Sequence, residues 1–179
     1  MGIPMNIIVA IDSYNGIGKN GSLPWNLSKD LIRFGKLTTK TTDKNKRNVV
    51  LMGRKVWQSI PEKFRPLKNR LNVVLSMTME PFENIIVARS FESAIDTIQK
   101  MDDIETIWNI GGIEVYRKGL ESNLLDKLFI TFVDGNFNAD TFFPTIDFRS
   151  FSRENYPEDP SNDQEENGIK FRFAVYKKN

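Results

Sequence analysis

Gly16-Ile17-Gly18-Lys19-Asn20-Gly21-Ser22-Leu23-Pro24-Trp25 decides how this chain is read. Gly16, Gly18 and Gly21 keep the G-x-G-x-x-G spacing of a phosphate-cradling turn, and they follow Ile7-Ile8-Val9-Ala10-Ile11, an apolar run that reads as a buried strand. Such a turn works only if a helix opens within the glycines, so that its first amides face the anion. Leu23-Pro24-Trp25 follows instead, and proline removes a donor and turns Leu23 away from helical angles. The glycines are therefore expected in a mobile loop, and the strand–turn–helix option falls.

Composition narrows the chemistry. At 179 residues the chain suits one domain with a well-buried core. It has no cysteine and no histidine, which removes disulfides, thiolate and imidazole metal ligands, cysteine nucleophiles and Ser-His-Asp triads. No metal site is expected, and catalysis must use carboxylates, basic groups, hydroxyls or a bound cofactor. No apolar run approaches the roughly 20 residues that span a bilayer, and residues 1–5 carry no export signal, so a soluble, cytoplasmic protein without a membrane partner is expected.

The net charge of +2 conceals an asymmetry. Residues 29–70 hold 13 Lys/Arg against Asp30, Asp43 and Glu62, whereas residues 154–167 hold six acids and no Lys/Arg. The basic half could attract an anionic ligand or weakly touch RNA, and it could equally be ordinary solvated surface. RNA binding would show a steep fall of affinity with salt and indifference to Asp30.

Strand patterns cover residues 6–11, 48–52, 71–76, 85–87 and 106–110, and helical patterns cover 28–37, 55–59, 90–100 and 112–118. That alternation argues an α/β layered fold. Ser28 and Ser90 stand where helix N-caps are expected. Longer strand-like segments at 127–134 and 169–177, with loop at 156–163, suggest an antiparallel edge.

Two places invite chemistry. Asp30 falls early in a helical pattern, where an acid suits the macrodipole. Leu27, Leu31 and Phe34 share its helical face, however, and with Trp25 they could wall the carboxyl from water and favour its neutral, proton-donating form. Gly111-Gly112 follows one strand pattern and precedes a helical one; this is either a plain turn or a phosphate site where backbone approaches closely and helix amides face the anion.

The motif Gly16 to Trp25 with Asp30 five residues on resembles dihydrofolate reductase. The resemblance continues through Met52-Gly53-Arg54-Lys55, Ser59-Ile60-Pro61-Glu62, Arg65-Pro66-Leu67, Ile110-Gly111-Gly112, Asp140-Thr141-Phe142-Phe143-Pro144 and Gln164-Glu165-Glu166-Asn167-Gly168-Ile169-Lys170-Phe171. The last segment and the length are similar to the eukaryotic, monofunctional form. The resemblance implies a monomer with one domain over residues 1–179, residues 1–5 being a short extension. Its fold would be three-layered, a mixed, mostly parallel sheet with helices on both faces and an antiparallel C-terminal edge.

The implied reaction is NADPH-dependent reduction of 7,8-dihydrofolate to tetrahydrofolate for one-carbon and thymidylate metabolism. Folate and antifolate inhibitors are implied ligands, with no obligate protein partner. Asp30 would bind the pterin edge and promote protonation at N5, beside Leu23 and Trp25. Ile8, Val9, Ala10, Ile110, Tyr116 and Thr131 would line the pterin and nicotinamide end, with Leu31 and Phe34 on the substrate side; each aliphatic residue among them could equally be core. Ser59, Ile60 and Leu67 would flank the benzoyl portion, and Arg70 would bind the glutamate α-carboxylate bidentately.

On the cofactor side the resemblance implies Ala10, the loop residues Ile17, Gly18, Lys19, Asn20, Gly21 and Ser22, and the segment Gly53, Arg54, Lys55 and Val56. The resemblance adds Leu75, Ser76, Met77 and Arg89, and Ile110, Gly111, Gly112, Ile113, Glu114, Val115 and Tyr116; the family uses a cis Gly-Gly peptide here, an isomer the sequence itself does not show. Val56 stands where the family often has threonine, and Met77 where eukaryotic members often have an arginine for the NADPH 2′-phosphate, leaving Arg54, Ser76 and Arg89 for that task. Leu31 replaces a common phenylalanine, a change that bears on inhibitors.

Overall fold

The computed structural model describes residues 2–179. Its strands are β1 (Met5–Asp12), β2 (Gly16–Gly18), β3 (Arg47–Gly53), β4 (Arg70–Leu75), β5 (Ile85–Ala88), β6 (Ile104–Asn109), β7 (Leu125–Val133), β8 (Thr141–Phe142), β9 (Phe151–Glu154), β10 (Gln164–Glu166) and β11 (Ile169–Lys178). The helices are α1 (Ser28–Thr39), α2 (Arg54–Ser59), α3 (Phe91–Gln99) and α4 (Ile113–Glu121).

Nine strands form the main sheet. Its order is β10-β11-β7-β1-β6-β3-β4-β5, with β9 paired to β11. Every pairing from β5 through to β7 is parallel, and those of β11 with β7, β9 and β10 are antiparallel. The mixed sheet with an antiparallel C-terminal edge is thus as the sequence suggests. Central strands covered on both faces read as unbroken apolar runs. In β3, Val49 and Leu51 join the core under α3 and α4, while Val50 and Met52 join the core under α1 and α2.

Four local readings change. Gly16–Gly18 is a short strand paired with β8, and an Asn20-Gly21 turn closes the bridge between Lys19 and Ser22. Ser90 caps α3 in a reciprocal box with Ser93, but Ser28 does not cap α1: the cap position is Leu27, which makes no side-chain capping bond. Glu166 on β10 takes over, accepting from the Ser28 and Lys29 amides at 2.7 and 3.1 Å and from the Ser28 hydroxyl at 2.6 Å. The first strand begins at Met5, one residue before the strand pattern, with Met5 fully buried and the Ile3 amide donating to Gln99 at 2.7 Å. Short strands β8, β9 and β10 stand in stretches that carry no strand pattern in the sequence.

Candidate active site

The cleft comes from strand order. From β1 the chain moves outward through β3, β4 and β5, then returns as β6 between β3 and β1, and next places β7 on the other side of β1. This reversal is a topological switch point, where ligands enter at the carboxyl ends of the strands. Backbone pairing of β1 with β6 stops at Ile7 and Asn109, yet β1 continues to Asp12 alongside β7. Ile8, Ala10, Ile110 and the two glycines after it therefore border an opening in the middle of the sheet.

Asp30, in the first turn of α1, faces the α1 side of β7. The Thr131 hydroxyl, itself buried, donates to Asp30 Oδ1 at 2.5 Å. Burial pushes the Asp30 carboxyl above its ordinary value, against the opposing Thr131 hydrogen bond and the Arg33 charge. Trp25 and Leu27 are buried nearby with Phe171 and Phe173, and the Trp25 indole meets Phe137 edge-on at 5.3 Å. Its Nε1 is buried without a protein partner, as is Nε1 of Trp108, a residue of the α1-side core that sequence reasoning passed over. The expected wall is incomplete: Leu31 is 54% exposed, while Phe34 packs half-buried with Ile60, Leu67 and Val56. Leu23 is exposed.

Side-chain alternation divides β1. Ile8 and Ala10 belong to the α1-side cores, but Val9 lies in the opposite core with Ile7, Ile11 and Tyr116. Val9 can offer a ligand only its backbone. Val115 is likewise packed in the core beneath α4, and Glu114 pairs with Arg117 on the surface.

The opposite wall is built by backbone. Gly111 has φ +100°, the Gly111-Gly112 peptide is cis, and a Cβ on Gly111 would stand 2.6 Å from the Tyr116 ring. Gly53 N–H donates to Gly111 O at 2.8 Å, and Asn109 Oδ1 accepts from Gly111 N–H at 3.2 Å while its amide nitrogen holds Val115 O at 2.7 Å. Asn109, a polar residue ending an apolar strand, thus fixes the turn; that placement was its available signal. Gly112 caps α4 without a side chain, leaving the first amides of α4 open, which suits an anion. The Tyr116 hydroxyl donates to Ile8 O at 3.0 Å, and burial and the Asp30 charge drive its pKa far upward, so it stays a neutral donor.

The glycine loop is latched at both ends. Asp12, buried at the end of β1, accepts from the Tyr14 and Gly16 amides, both at 2.8 Å, and Asp140 accepts from the Asn20 amide at 2.9 Å. Ile17 packs partly into the core, leaving Lys19, Asn20, Gly21 and Ser22 exposed.

Two basic cavities open on the strand ends. Arg54, Leu75, Ser76, Met77, Thr78 and Arg89 line one of about 370 Å³. Arg89 is braced there by the carbonyls of Ser76 and Met79 at 3.0 and 2.7 Å, while Met77 is 77% exposed. Arg70 lies in the other, of about 550 Å³, with Arg47, Lys63, Arg65 and Leu67. Its Nε donates to Lys68 O at 2.8 Å and its Nη1 to the Thr38 hydroxyl at 2.9 Å, an unforeseen partner that presets the guanidinium. Ser59 is exposed and turned back onto Val56 O at 2.6 Å. Lys55 is exposed on α2.

A split, mostly parallel sheet with a carboxyl raised in pKa on one wall and an open glycine cradle on the other defines an α/β protein with a ligand cleft at its topological switch point. The comparisons with known proteins give the particular family. The family model described as dihydrofolate reductase matches residues 4–178, and the chain belongs to that family. It is 44% identical over 97% of its length to a putative dihydrofolate reductase of Caenorhabditis elegans, covering 96% of that protein. It is 41% identical to the dihydrofolate reductase of Bos taurus, with 98% of each covered. A Schistosoma mansoni dihydrofolate reductase structure superposes over 100% of both chains with a TM-score of 0.90 at 33% identity. The chain is thus an enzyme of dihydrofolate reduction. Among the described residues no helix is long and apolar enough to cross a membrane.

Proposed function

We propose that this protein reduces 7,8-dihydrofolate to 5,6,7,8-tetrahydrofolate in the cytoplasm, as one domain over residues 1–179, with NADPH as reductant. The observation that carries the reading is the partly buried Asp30 carboxyl, hydrogen-bonded to Thr131 at the split in the sheet. When bound, the nicotinamide supplies a hydride to C6 of the pterin. Asp30 holds the pterin edge and promotes protonation at N5, with Trp25 and Leu23 screening that proton from bulk water. Ile8, Ala10, Ile110 and Thr131 hold the two rings against each other, with Leu31 and Phe34 covering the pterin. Folate and antifolates compete for the same surface.

The residues present suit the cofactor. Gly111 accepts no side chain because a Cβ would strike the buried Tyr116 ring beneath the turn, and the open α4 amides with Arg54, Ser76, Thr78 and Arg89 make a donor set for phosphates. Arg54 carries the 2′-phosphate preference that Met77 cannot. Loss of reduced-nicotinamide absorbance on adding dihydrofolate is the test: turnover is expected with NADPH and to be weaker with NADH. Arg54→Ala should narrow that preference by about tenfold, the loss of a charge-assisted contact. Equal use of both cofactors by the unaltered protein would remove this assignment.

Arg70 binds the α-carboxylate of the glutamate tail. Arg70→Met should raise the KM for dihydrofolate roughly 10- to 100-fold and leave kcat within a few-fold, because the lost contact is distant from the reacting atoms. A kcat loss at unchanged KM would count against it.

A further inference from the structure

The acidic stretch and the basic stretch of the sequence meet around α1. Glu166 caps its first turn, Asp159 engages Arg33, and Glu158 reaches Lys40 at 3.6 Å just past its end. Of these contacts, that of Arg33 is buried, its side chain 8% and that of Asp159 12% exposed. The pair is bidentate: Nε donates to Oδ1 at 2.8 Å and Nη2 to Oδ2 at 2.7 Å, while the guanidinium stacks over Phe173 at 4.3 Å.

Arg33 lies one turn beyond Asp30 on the same helix, and its charge reaches that carboxyl. One buried cation thus stands near two acids. Bidentate pairing with Asp159 leaves Asp30 a residual field, and its only direct hydrogen-bond donor among the described residues is the Thr131 hydroxyl. We propose that Arg33 and Asp159 form a positioning pair for the catalytic acid: Asp159, in the loop between β9 and β10, ties α1 to that loop and withdraws the Arg33 charge, so that Asp30 can be protonated while it faces the substrate. This rests on the reading of Asp30 as the acid. The other groups facing this region are Tyr116 from α4, whose phenol senses the Asp30 charge, Tyr156 beside Arg33, and Glu166 at the amides of Ser28 and Lys29.

The two halves of the pair must act in opposite directions. Asp159→Asn leaves Arg33 buried with its charge uncompensated, which favours ionised Asp30. Arg33→Met removes the cation, which favours the neutral acid. Proton-limited turnover falls as pH rises through the pKa of Asp30, so the falling limb of the kcat–pH profile should move down by about half to one unit in Asp159→Asn and up by a similar amount in Arg33→Met. Arg33→Met combined with Asp159→Leu should return the limb close to its original place, and it should fold, since buried ion pairs tolerate replacement by apolar groups.

A purely structural pair would lower Tm and raise KM in both single variants with the limb unmoved. That result, or shifts in the same direction, overturns the proposal. Titration of the Asp30 carboxyl by carbon NMR in the ligand-free protein and its variants reads the same shifts without turnover. If Asp30→Asn kept full activity, the acid assignment would fall, and the NMR arm would still decide whether the pair governs that carboxyl.

Discussion

Asp30→Asn should lower kcat by roughly 10²- to 10⁴-fold, the usual contribution of a positioned general acid, with the fold intact. Asparagine keeps an oxygen that can accept from the Thr131 hydroxyl, which donates at 2.5 Å, but replaces the ionisable oxygen with an NH2 group that cannot serve as an acid. The same substitution should make the protein harder to unfold at neutral pH. Burial raises the folded-state pKa of Asp30, so its favourable contribution is fully present below the unfolded aspartate pKa and is lost as pH rises through the folded value. The unaltered protein bears that loss at neutral pH, and asparagine cannot ionise. Thermal unfolding at about pH 7 to 8 should give a higher Tm for Asp30→Asn, the difference vanishing as pH is lowered into the ordinary aspartate range. A variant equally stable or weaker at neutral pH would show that the carboxyl is not desolvated as the geometry requires.

Gly111→Ala should cost about 2–5 kcal/mol of stability, adding left-handed backbone strain to overpacking. The residue has φ +100°, and its new methyl would fall 2.6 Å from Cε2 and 2.8 Å from Cζ of Tyr116. Tyr116 is itself buried and its hydroxyl is bonded to Ile8 O, so the ring cannot step aside without breaking that bond. Neighbouring Gly112 is a matched control. With φ −82° and only Val56 Cγ2 at 3.9 Å from an added Cβ, Gly112→Ala should change stability far less. Denaturant unfolding of the two variants checks the contrast, and equal losses would refute it. Titration with NADPH should show a weakened affinity for whatever Gly111→Ala protein remains folded.

What the sequence made legible was local. The apolar run of β1, the proline that stops a helix after the glycine loop, and the Gly111-Gly112 turn all declare themselves within a few residues. Asp30 could be marked because Trp25 and Leu27 lie close to it in the chain. What stayed hidden depends on partners far away. Ser28 looks like a cap by every local rule, yet the capping carboxylate comes from Glu166, 138 positions later. Arg33 reads as one more solvated cation of a basic stretch until Asp159 is brought to it. Val9 and Val115 sit correctly in their motifs, but strand and helix periodicity turn their side chains into the core. Strands β8 and β10, of two and three residues, are too short for alternation to register.

The capping of α1 from β10 also bears on how the enzyme is made. The helix that carries Asp30 leaves the ribosome well over a hundred residues before Glu166, which finishes its first turn from 138 positions further on. The chain as far as β10 must therefore exist before Asp30 acquires its final surroundings. Such late, long-range closure slows folding relative to local pairing. It also means that nascent fragments, however well their early strands associate, cannot become premature reductases.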